Sequence, residues 1–125
     1  MSNYELGSVR VLVVDDDPDV RVFVSHVLKA AGCEVQVAAD GEQAVIAAFD
    51  FRADIVFLDI TIPFQCGWLV CAKLKLIEPS PTVVLITGLD RDYLSNFSEF
   101  VKADSLLRKP FSAKDVLELI PGLPV

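Results

Sequence analysis

Acidic residues follow two apolar runs of this chain. Residues 15–17 are all aspartate and come directly after the apolar run 11–14, and Asp59 comes directly after the apolar run 55–58. Short, unbroken apolar runs are typical of strands that are covered on both faces in a parallel sheet. Ligands of such sheets bind beyond the carboxyl ends of the strands, so both acidic groups point to one place. Carboxylates crowded together in this way require a cation.

Two further polar side chains also come directly after predicted strands. Strand-like and helix-like segments alternate along the chain, and Thr87 and Lys109 follow the predicted fourth and fifth strands. In the sheet order 2-1-3-4-5, strands 1 and 3 are neighbours at the topological switch point. We therefore expect Asp15 and Asp16 to lie close to Asp59. Thr87 and Lys109 would flank these acids on the other side.

This set of side chains suits phosphoryl chemistry. Oxygen ligands of high charge density suit Mg²⁺, with Mn²⁺ as an alternative. We expect Asp16 and Asp59 to be direct ligands, and Asp15 to act directly or through water. Asp59 would attack phosphorus as a carboxylate nucleophile and become an aspartyl phosphate. Lys109 would pair with one phosphoryl oxygen and the Thr87 hydroxyl would donate to another, because phosphoryl transfer depends mostly on positioning and charge stabilisation.

The elements that position these residues follow from the apolar pattern. Strands are predicted over residues 10–14, 35–38, 55–58, 82–86 and 105–108. Helices are predicted over about 18–31, 42–51, 68–77, 92–101 and 113–120. Asp17 is a suitable cap for the first helix, Pro18 suits its first position, and Gly32 suits its stop. Successive β-α units with right-handed crossovers predict a doubly wound α/β fold.

Length, composition and charge limit the class of protein. A chain of 125 residues with 53% apolar residues predicts one domain, with a core at about 10–120 and flexible ends at 1–8 and 121–125. The formal net charge of −7 argues against direct binding to nucleic acid or to an anionic membrane. No apolar stretch approaches the ~20 residues that span a bilayer. We expect a cytoplasmic protein, since the first residues lack the features of a signal peptide.

The chain has three cysteines, Cys33, Cys66 and Cys71. Their number is odd, and no two of them have the spacing of a metal-binding or redox pair. We interpret all three as reduced thiols that pack as small apolar residues.

Four motifs in order identify a family resemblance. They are VLVVDDDP at 11–18, FLDITIP at 57–63 followed by Gly67, LITG at 85–88 and KPF at 109–111. Together they resemble the receiver domains of response regulators in two-component signalling, including the chemotaxis regulators. The resemblance extends over about 10–120. It implies the flavodoxin-like (βα)₅ fold, a three-layer sandwich around a parallel five-stranded sheet in the order 2-1-3-4-5.

The resemblance implies specific roles at the acidic end of the sheet. Asp59 corresponds to the aspartate that takes a phosphoryl group from a histidine kinase or a histidine phosphotransfer protein. Asp15 and Asp16 correspond to the acidic pocket that binds Mg²⁺, and Thr61 would offer its backbone carbonyl to the metal. Members of the family are not conventional enzymes, because they catalyse only their own phosphorylation and slow self-dephosphorylation.

The resemblance also implies how the signal leaves the domain. Thr87 corresponds to the hydroxyl that moves toward the phosphoryl group, and Lys109 to the lysine that contacts it. The Lys109–Pro110 bond is usually cis in the family. Leu106, however, stands where receivers usually carry tyrosine or phenylalanine, so output would use either apolar repacking of Leu106 or another surface. We expect the output to reach another protein, or a fused output domain, through protein contact.

Two other functions fit parts of the same pattern. Asp15 and Asp17 form the Asp-x-Asp of aspartyl-nucleophile phosphatases, in which Asp15 would be the nucleophile. Asp19 occupies the place of the expected threonine in that class, and the chain is short for such a fold with its cap. The other alternative is an interaction module that works without phosphorylation, which the intact Asp59, Thr87 and Lys109 disfavour.

Overall fold

A parallel sheet forms the middle of the structure, a computed structural model that describes residues 9–61, 66–88 and 103–121. Its strands are β1 (Arg10–Val14), β2 (Glu34–Ala38), β3 (Ile55–Asp59), β4 (Thr82–Thr87) and β5 (Ser105–Arg108). The strands lie in the order β2-β1-β3-β4-β5, and each neighbouring pair is parallel. The predicted order is confirmed, and each predicted strand is confirmed to within one residue at either end.

Helices cover both faces of this sheet. Those in the described ranges are α1 (Pro18–Ala30), α2 (Gly41–Phe51), α3 (Gly67–Leu74) and α4 (Ala113–Leu117). The helix predicted over 92–101 lies outside the described residues, as do the predicted N-terminal segment 1–8 and residues 122–125 of the tail. Among the described helices, none is long and apolar enough to cross a lipid bilayer.

The first helix begins and ends where the sequence predicts. The Asp17 carboxylate accepts a hydrogen bond of 2.9 Å from the amide of Asp19, and Pro18 is the first helical residue. At the other end Gly32 has a φ of 96°, a conformation that favours glycine because it has no Cβ. The amide of Cys33 then bonds to the carbonyl of Leu28, which satisfies one of the last free carbonyls of the helix.

Two helices end earlier than the sequence pattern predicts. α3 ends at Leu74 and not at Ile77, and α4 ends at Leu117 and not at Ile120. The amide of Ile77 bonds to the carbonyl of Leu74, and that of Ile120 to the carbonyl of Leu117. These bonds span three residues, so each helix gives way to a tighter turn. Both isoleucines still pack against the core, so the apolar pattern continues past the end of the α-helix.

The sheet separates two apolar cores, which confirms the predicted three layers. Alternate side chains of a strand point to opposite faces of the sheet. One face packs against α2 and α3 through Leu12, Val14, Val56, Leu58, Val83 and Leu85. The other face packs against α1 and α4 through Val11, Val13, Ile55, Phe57, Val84 and Ile86. Both faces of the inner strands are therefore apolar, as the unbroken runs in the sequence predict.

The interpretation of the cysteines is correct for two of them. All three are free thiols, and Cys33 and Cys71 are buried with 6% and 0% of their surface exposed. Burial raises the pKa of the Cys33 thiol, and it raises the pKa of the Cys71 thiol to about 11. Cys66 is exposed, so the prediction that it packs as an apolar residue is wrong. It is the residue before α3, outside the apolar stripe that faces the sheet.

This difference in exposure predicts the reactivity of the thiols. Iodoacetamide near neutral pH is expected to modify Cys66 at least about a hundredfold faster than Cys33 or Cys71, because only an exposed thiolate reacts. Intact mass should show one adduct on the native protein and three adducts in concentrated guanidinium chloride, one for each cysteine. The Cys66→Ser variant should give no fast adduct. A second fast adduct on the native protein would contradict the described packing.

Candidate functional site

The residues that the sequence singles out lie at one edge of the sheet. Asp59 is the last residue of β3 and Thr87 is the last residue of β4, while Asp15 and Lys109 directly follow β1 and β5. All these strands run parallel, so their carboxyl ends meet at the same edge. The amide of Lys109 bonds to the carbonyl of Thr87 at 2.7 Å, which joins the ends of β4 and β5. Asp15, Asp59 and Thr87 are each at most 1% exposed.

Lys109 joins the acids of the first and third strands. Its Nζ donates a hydrogen bond of 2.8 Å to Oδ2 of Asp59 and lies 3.3 Å from Oδ2 of Asp15. Asp15 and Asp59 are 44 residues apart in the chain, yet both lie beside the ammonium of Lys109. The predicted convergence of these two acids with Lys109 is therefore confirmed. The Lys109–Pro110 peptide bond is cis, as the resemblance implies.

The carboxylates at this edge of the sheet lie close enough together to bind one metal ion. Asp15, Asp16 and Asp59 each offer a carboxylate oxygen, and these oxygens lie within 4.8 Å of one another. Oδ1 of Asp15 accepts a hydrogen bond of 2.9 Å from the amide of Asp17, but its buried Oδ2 has no hydrogen-bond partner. That oxygen lies 3.3 Å from Lys109, but the same ammonium also neutralises Asp59, so two buried carboxylates share one positive charge and a bound cation would offset the remaining negative charge. Oxygen donors of this kind fit Mg²⁺ and Mn²⁺, which Asp15, Asp16, Asp59 and the Thr61 carbonyl would hold.

Burial and neighbouring charges shift the pKa values of Asp15, Asp59 and Lys109 in different directions. Burial raises the pKa of Asp15 to about 6, and the charge of Asp59 adds to this effect. Burial also acts to raise the pKa of Asp59, but hydrogen bonds from Lys109 and Thr61 outweigh it and hold that pKa below its usual value. Burial acts to lower the pKa of Lys109, yet the bonds and charges of Asp59 and Asp15 raise it. Asp59 and Lys109 are therefore charged at neutral pH, as a carboxylate nucleophile and an anion-binding ammonium must be.

Two contacts of the site are not evident in the sequence. The guanidinium Nη1 of Arg21, one turn into α1, donates a hydrogen bond of 2.7 Å to the carbonyl of Asp15. The hydroxyl and the amide of Thr61 both donate to Oδ1 of Asp59, each at 2.7 Å. The sequence gives only a weak signal for the first contact, namely a basic residue one turn into a helix that follows an acidic loop. Nothing in the residue types signals the second, because it depends on the turn of the chain after β3.

Because Asp15 is buried, we expect the free energy of unfolding to depend on whether a divalent cation is bound. In EDTA, Asp15→Asn is expected to raise the free energy of unfolding by about 1–2 kcal/mol, because it removes one of two buried carboxylates that repel each other and share the ammonium of Lys109. The asparagine carbonyl can still accept from the amide of Asp17. Asp16→Asn is the matched control and should change this free energy by less than about 0.5 kcal/mol, because Asp16 is exposed. Urea unfolding with and without MgCl₂ measures both, and a destabilised Asp15→Asn in EDTA would contradict the argument.

The sheet order and the groups at its switch point define a class of protein. A doubly wound sheet in the order β2-β1-β3-β4-β5, with buried acids at the ends of β1 and β3, is the flavodoxin-like arrangement. The chain belongs to the response regulator receiver domain family, whose model matches residues 11–121. The resemblance inferred from the motifs is thus confirmed.

Three similar proteins illustrate the range of the family. The chain is 33% identical over 118 residues to the DNA-binding dual master transcriptional regulator RpaA of Synechocystis, covering 91% of this chain and 48% of RpaA. It is 32% identical over 114 residues to Protein PilG of Pseudomonas aeruginosa, covering 90% of this chain and 84% of PilG. The structure of the chemotaxis response regulator CheY4 of Vibrio cholerae is similar with a TM-score of 0.82 and 29% identity, covering 88% of this chain and 93% of CheY4. The chain spans about half the length of the first curated relatives that it matches.

Proposed function

We propose that this chain is a phosphoacceptor: Asp59 receives a phosphoryl group, with Mg²⁺ bound, from the phosphohistidine of a histidine kinase or phosphotransfer protein. The observation that carries this proposal is the contact of a buried, ionised Asp59 with Lys109 beside a second buried carboxylate, Asp15. The family supports it, because receiver domains are the regulatory part of two-component response regulators. Thr61, through its carbonyl, and Asp16 complete the proposed metal site.

The residues of the chain divide the reaction between them. An oxygen of Asp59 forms the new bond to phosphorus, and the bond between phosphorus and the donor nitrogen breaks, with its electron pair left on the imidazole. Lys109 lies 2.8 Å from Asp59, where its ammonium balances the charge that the phosphoryl group brings. Thr87, at the end of β4, would donate its hydroxyl hydrogen to a phosphoryl oxygen. A divalent cation held by Asp15, Asp16, Asp59 and the Thr61 carbonyl would supply further charge neutralisation.

The proposed outcome is a change of state and not the turnover of a substrate. Replacing the carboxylate by an acyl phosphate adds roughly one negative charge and new acceptor oxygens at the edge of the sheet. Thr87 and Lys109 respond to this charge, and they join β4 to β5 through the bond between Lys109 N and the Thr87 carbonyl. On β5, Leu106 is 37% exposed where the family usually carries an aromatic residue. We propose that the signal passes by protein contact to another protein or to a fused output domain.

Asp59 is a better acceptor than Asp15. Burial raises the pKa of Asp15 to about 6, whereas hydrogen bonds from Lys109 and Thr61 hold the pKa of Asp59 below its usual value. Lys109 Nζ also lies closer to Asp59, at 2.8 Å, than to Asp15, at 3.3 Å. Asp59 carries the contact with Lys109 that a phosphoryl acceptor requires. These observations favour phosphorylation of Asp59 over the phosphatase that would use Asp15 and over an interaction module that needs no phosphorylation. We place this exchange in the cytoplasm, since free thiols such as those of Cys33 and Cys71 persist in a reducing compartment.

Chemical phosphorylation followed by mass measurement tests the proposal. The protein is incubated with acetyl phosphate and MgCl₂, and the expected product is a single adduct of about 80 Da. Borohydride reduction converts an aspartyl phosphate to homoserine, and peptide mapping should place the homoserine at residue 59. EDTA should suppress the adduct. A wild-type protein that remains unmodified with saturating Mg²⁺, or a homoserine at residue 15 or 16, would refute the proposal.

A further inference from the structure

The side chain of Thr61 is bonded to the proposed phosphoryl acceptor. Its Oγ1 donates to Oδ1 of Asp59 at 2.7 Å, in addition to the bond of 2.7 Å from its own amide. Thr61 is exposed, whereas Asp59 is 1% exposed. A residue at the surface thus occupies one oxygen of a buried carboxylate.

The hydrogen bonds of Asp59 leave too few free positions for its proposed reaction. A carboxylate has about four lone-pair positions, two on each oxygen. The amide and the hydroxyl of Thr61 take both positions on Oδ1, and Lys109 takes one on Oδ2 at 2.8 Å. A phosphoryl acceptor that also binds a metal needs one oxygen for phosphorus and the other for the metal. At least one of the donors on Oδ1 must therefore leave.

The three donors differ in how easily they can be removed. The amide of Thr61 belongs to the backbone two residues after the end of β3, so it cannot turn away from Asp59 as a side chain can. Lys109 carries a charge that attracts both Asp59 and Asp15, so its departure would leave two buried carboxylates unbalanced. The Thr61 hydroxyl is neutral and turns about a single bond. The hydroxyl is the donor whose removal costs least.

We propose that the Thr61 hydroxyl holds Asp59 in a resting state and competes with the divalent cation and the phosphoryl donor for Oδ1. Rotation of the side chain releases this oxygen without any change of the backbone. Thr61 is therefore a positioning residue of the acceptor, in addition to the role proposed for its carbonyl. This inference rests on the proposed function of Asp59, which it deepens by naming a group that sets how readily Asp59 is loaded.

Thr61→Val is the direct test, because valine keeps the branched shape, the amide and the carbonyl but has no hydroxyl. The Mg²⁺ dissociation constant is obtained from the rise of the melting temperature with MgCl₂, starting in EDTA. We expect Thr61→Val to bind Mg²⁺ about three- to tenfold more tightly than the wild type, since a competing hydrogen bond to a charged oxygen is lost. At subsaturating Mg²⁺ the initial rate of adduct formation from acetyl phosphate should rise by a similar factor.

Two control variants separate this role from a structural one. Thr61→Ser restores a hydroxyl and is expected to return the dissociation constant to within about twofold of the wild type. Thr82→Val makes the same substitution at an exposed threonine at the opposite end of the sheet and should leave the constant unchanged. A residue with only a structural role would lower the melting temperature in EDTA and with Mg²⁺ equally.

The results can refute this inference independently of the proposed function. A folded Thr61→Val with wild-type or weaker affinity for Mg²⁺ would overturn the inference, and so would a Thr61→Ser that matches Thr61→Val. Thr61→Ala replaces Thr61→Val if the valine variant does not fold, with the same expectation. Failure of the proposed function would instead appear as a wild-type protein without an adduct, and the comparison of Mg²⁺ affinities would still decide the role of Thr61.

Discussion

Replacing Asp59 by alanine is expected to abolish the adduct of about 80 Da that acetyl phosphate and Mg²⁺ form on the wild-type protein. The substitution removes the nucleophilic oxygen and one of the acids of the proposed metal site, and we expect neither Asp15 nor Lys109 to take its place. Asp15 is fully buried and bonded to the amide of Asp17, and Lys109 is a cation. We expect the labelling rate to fall by at least about a thousandfold, to the background of the assay.

The control for this prediction is Asp50→Ala, the same substitution at an exposed position of α2 outside the acidic edge of the sheet. It should be labelled at the wild-type rate. Circular dichroism must show that both variants are folded before intact masses are compared. An adduct that persists in Asp59→Ala and maps to Asp15 or Asp16 would show that a different carboxylate accepts the phosphoryl group.

Replacing Gly67 by alanine is expected to cause a large loss of stability, although it adds only one methyl group. A Cβ at Gly67, the first residue of α3, would lie 2.4 Å from Cα and 2.5 Å from the carbonyl oxygen of Ile60. Both are backbone atoms next to Asp59, so they cannot move aside as a flexible side chain would. We expect the free energy of unfolding to fall by about 2–4 kcal/mol and the melting temperature by roughly 10 °C.

Gly88→Ala is the matched control, since a Cβ there would meet no heavy atom within 4 Å. It should change the free energy of unfolding by less than about 0.5 kcal/mol. Urea unfolding in EDTA measures both variants without a contribution from the metal. An unchanged midpoint in Gly67→Ala would mean that the start of α3 lies farther from the end of β3 than the structure places it.

Much of the fold and the main part of the site follow from the sequence. Unbroken apolar runs of four or five residues between helical patterns are typical of inner strands of a covered parallel sheet, and the strand bounds are confirmed to within one residue. Parallel strands bring their carboxyl ends to one edge of the sheet, which is why the sequence predicts that Asp15, Asp59 and Lys109 lie together. Asp17 caps α1, as predicted, because a side-chain oxygen just before a helix satisfies one of its first free amides.

Other features depend on distances that residue types do not encode. Whether α3 ends at Leu74 or at Ile77 is decided by the bonds that the turn forms, because both residues continue the same apolar pattern. Cys66 and Cys71 are chemically alike, and only the side of the chain on which each lies makes one exposed and the other buried.

The sequence by itself determined which segments are strands and helices, because alternation of elements and apolar periodicity are local properties of the chain, and the motif resemblance implied the order of the sheet and the charged groups that meet at its switch point. Only the tertiary structure decided that Oδ2 of Asp15 is left without a hydrogen bond, that Thr61 occupies Oδ1 of Asp59, and that a glycine is required at Gly67. Each of these features depends on distances that differ by only a few tenths of an ångström. Their presence depends on how the loops close after each strand and on how closely the helices then pack.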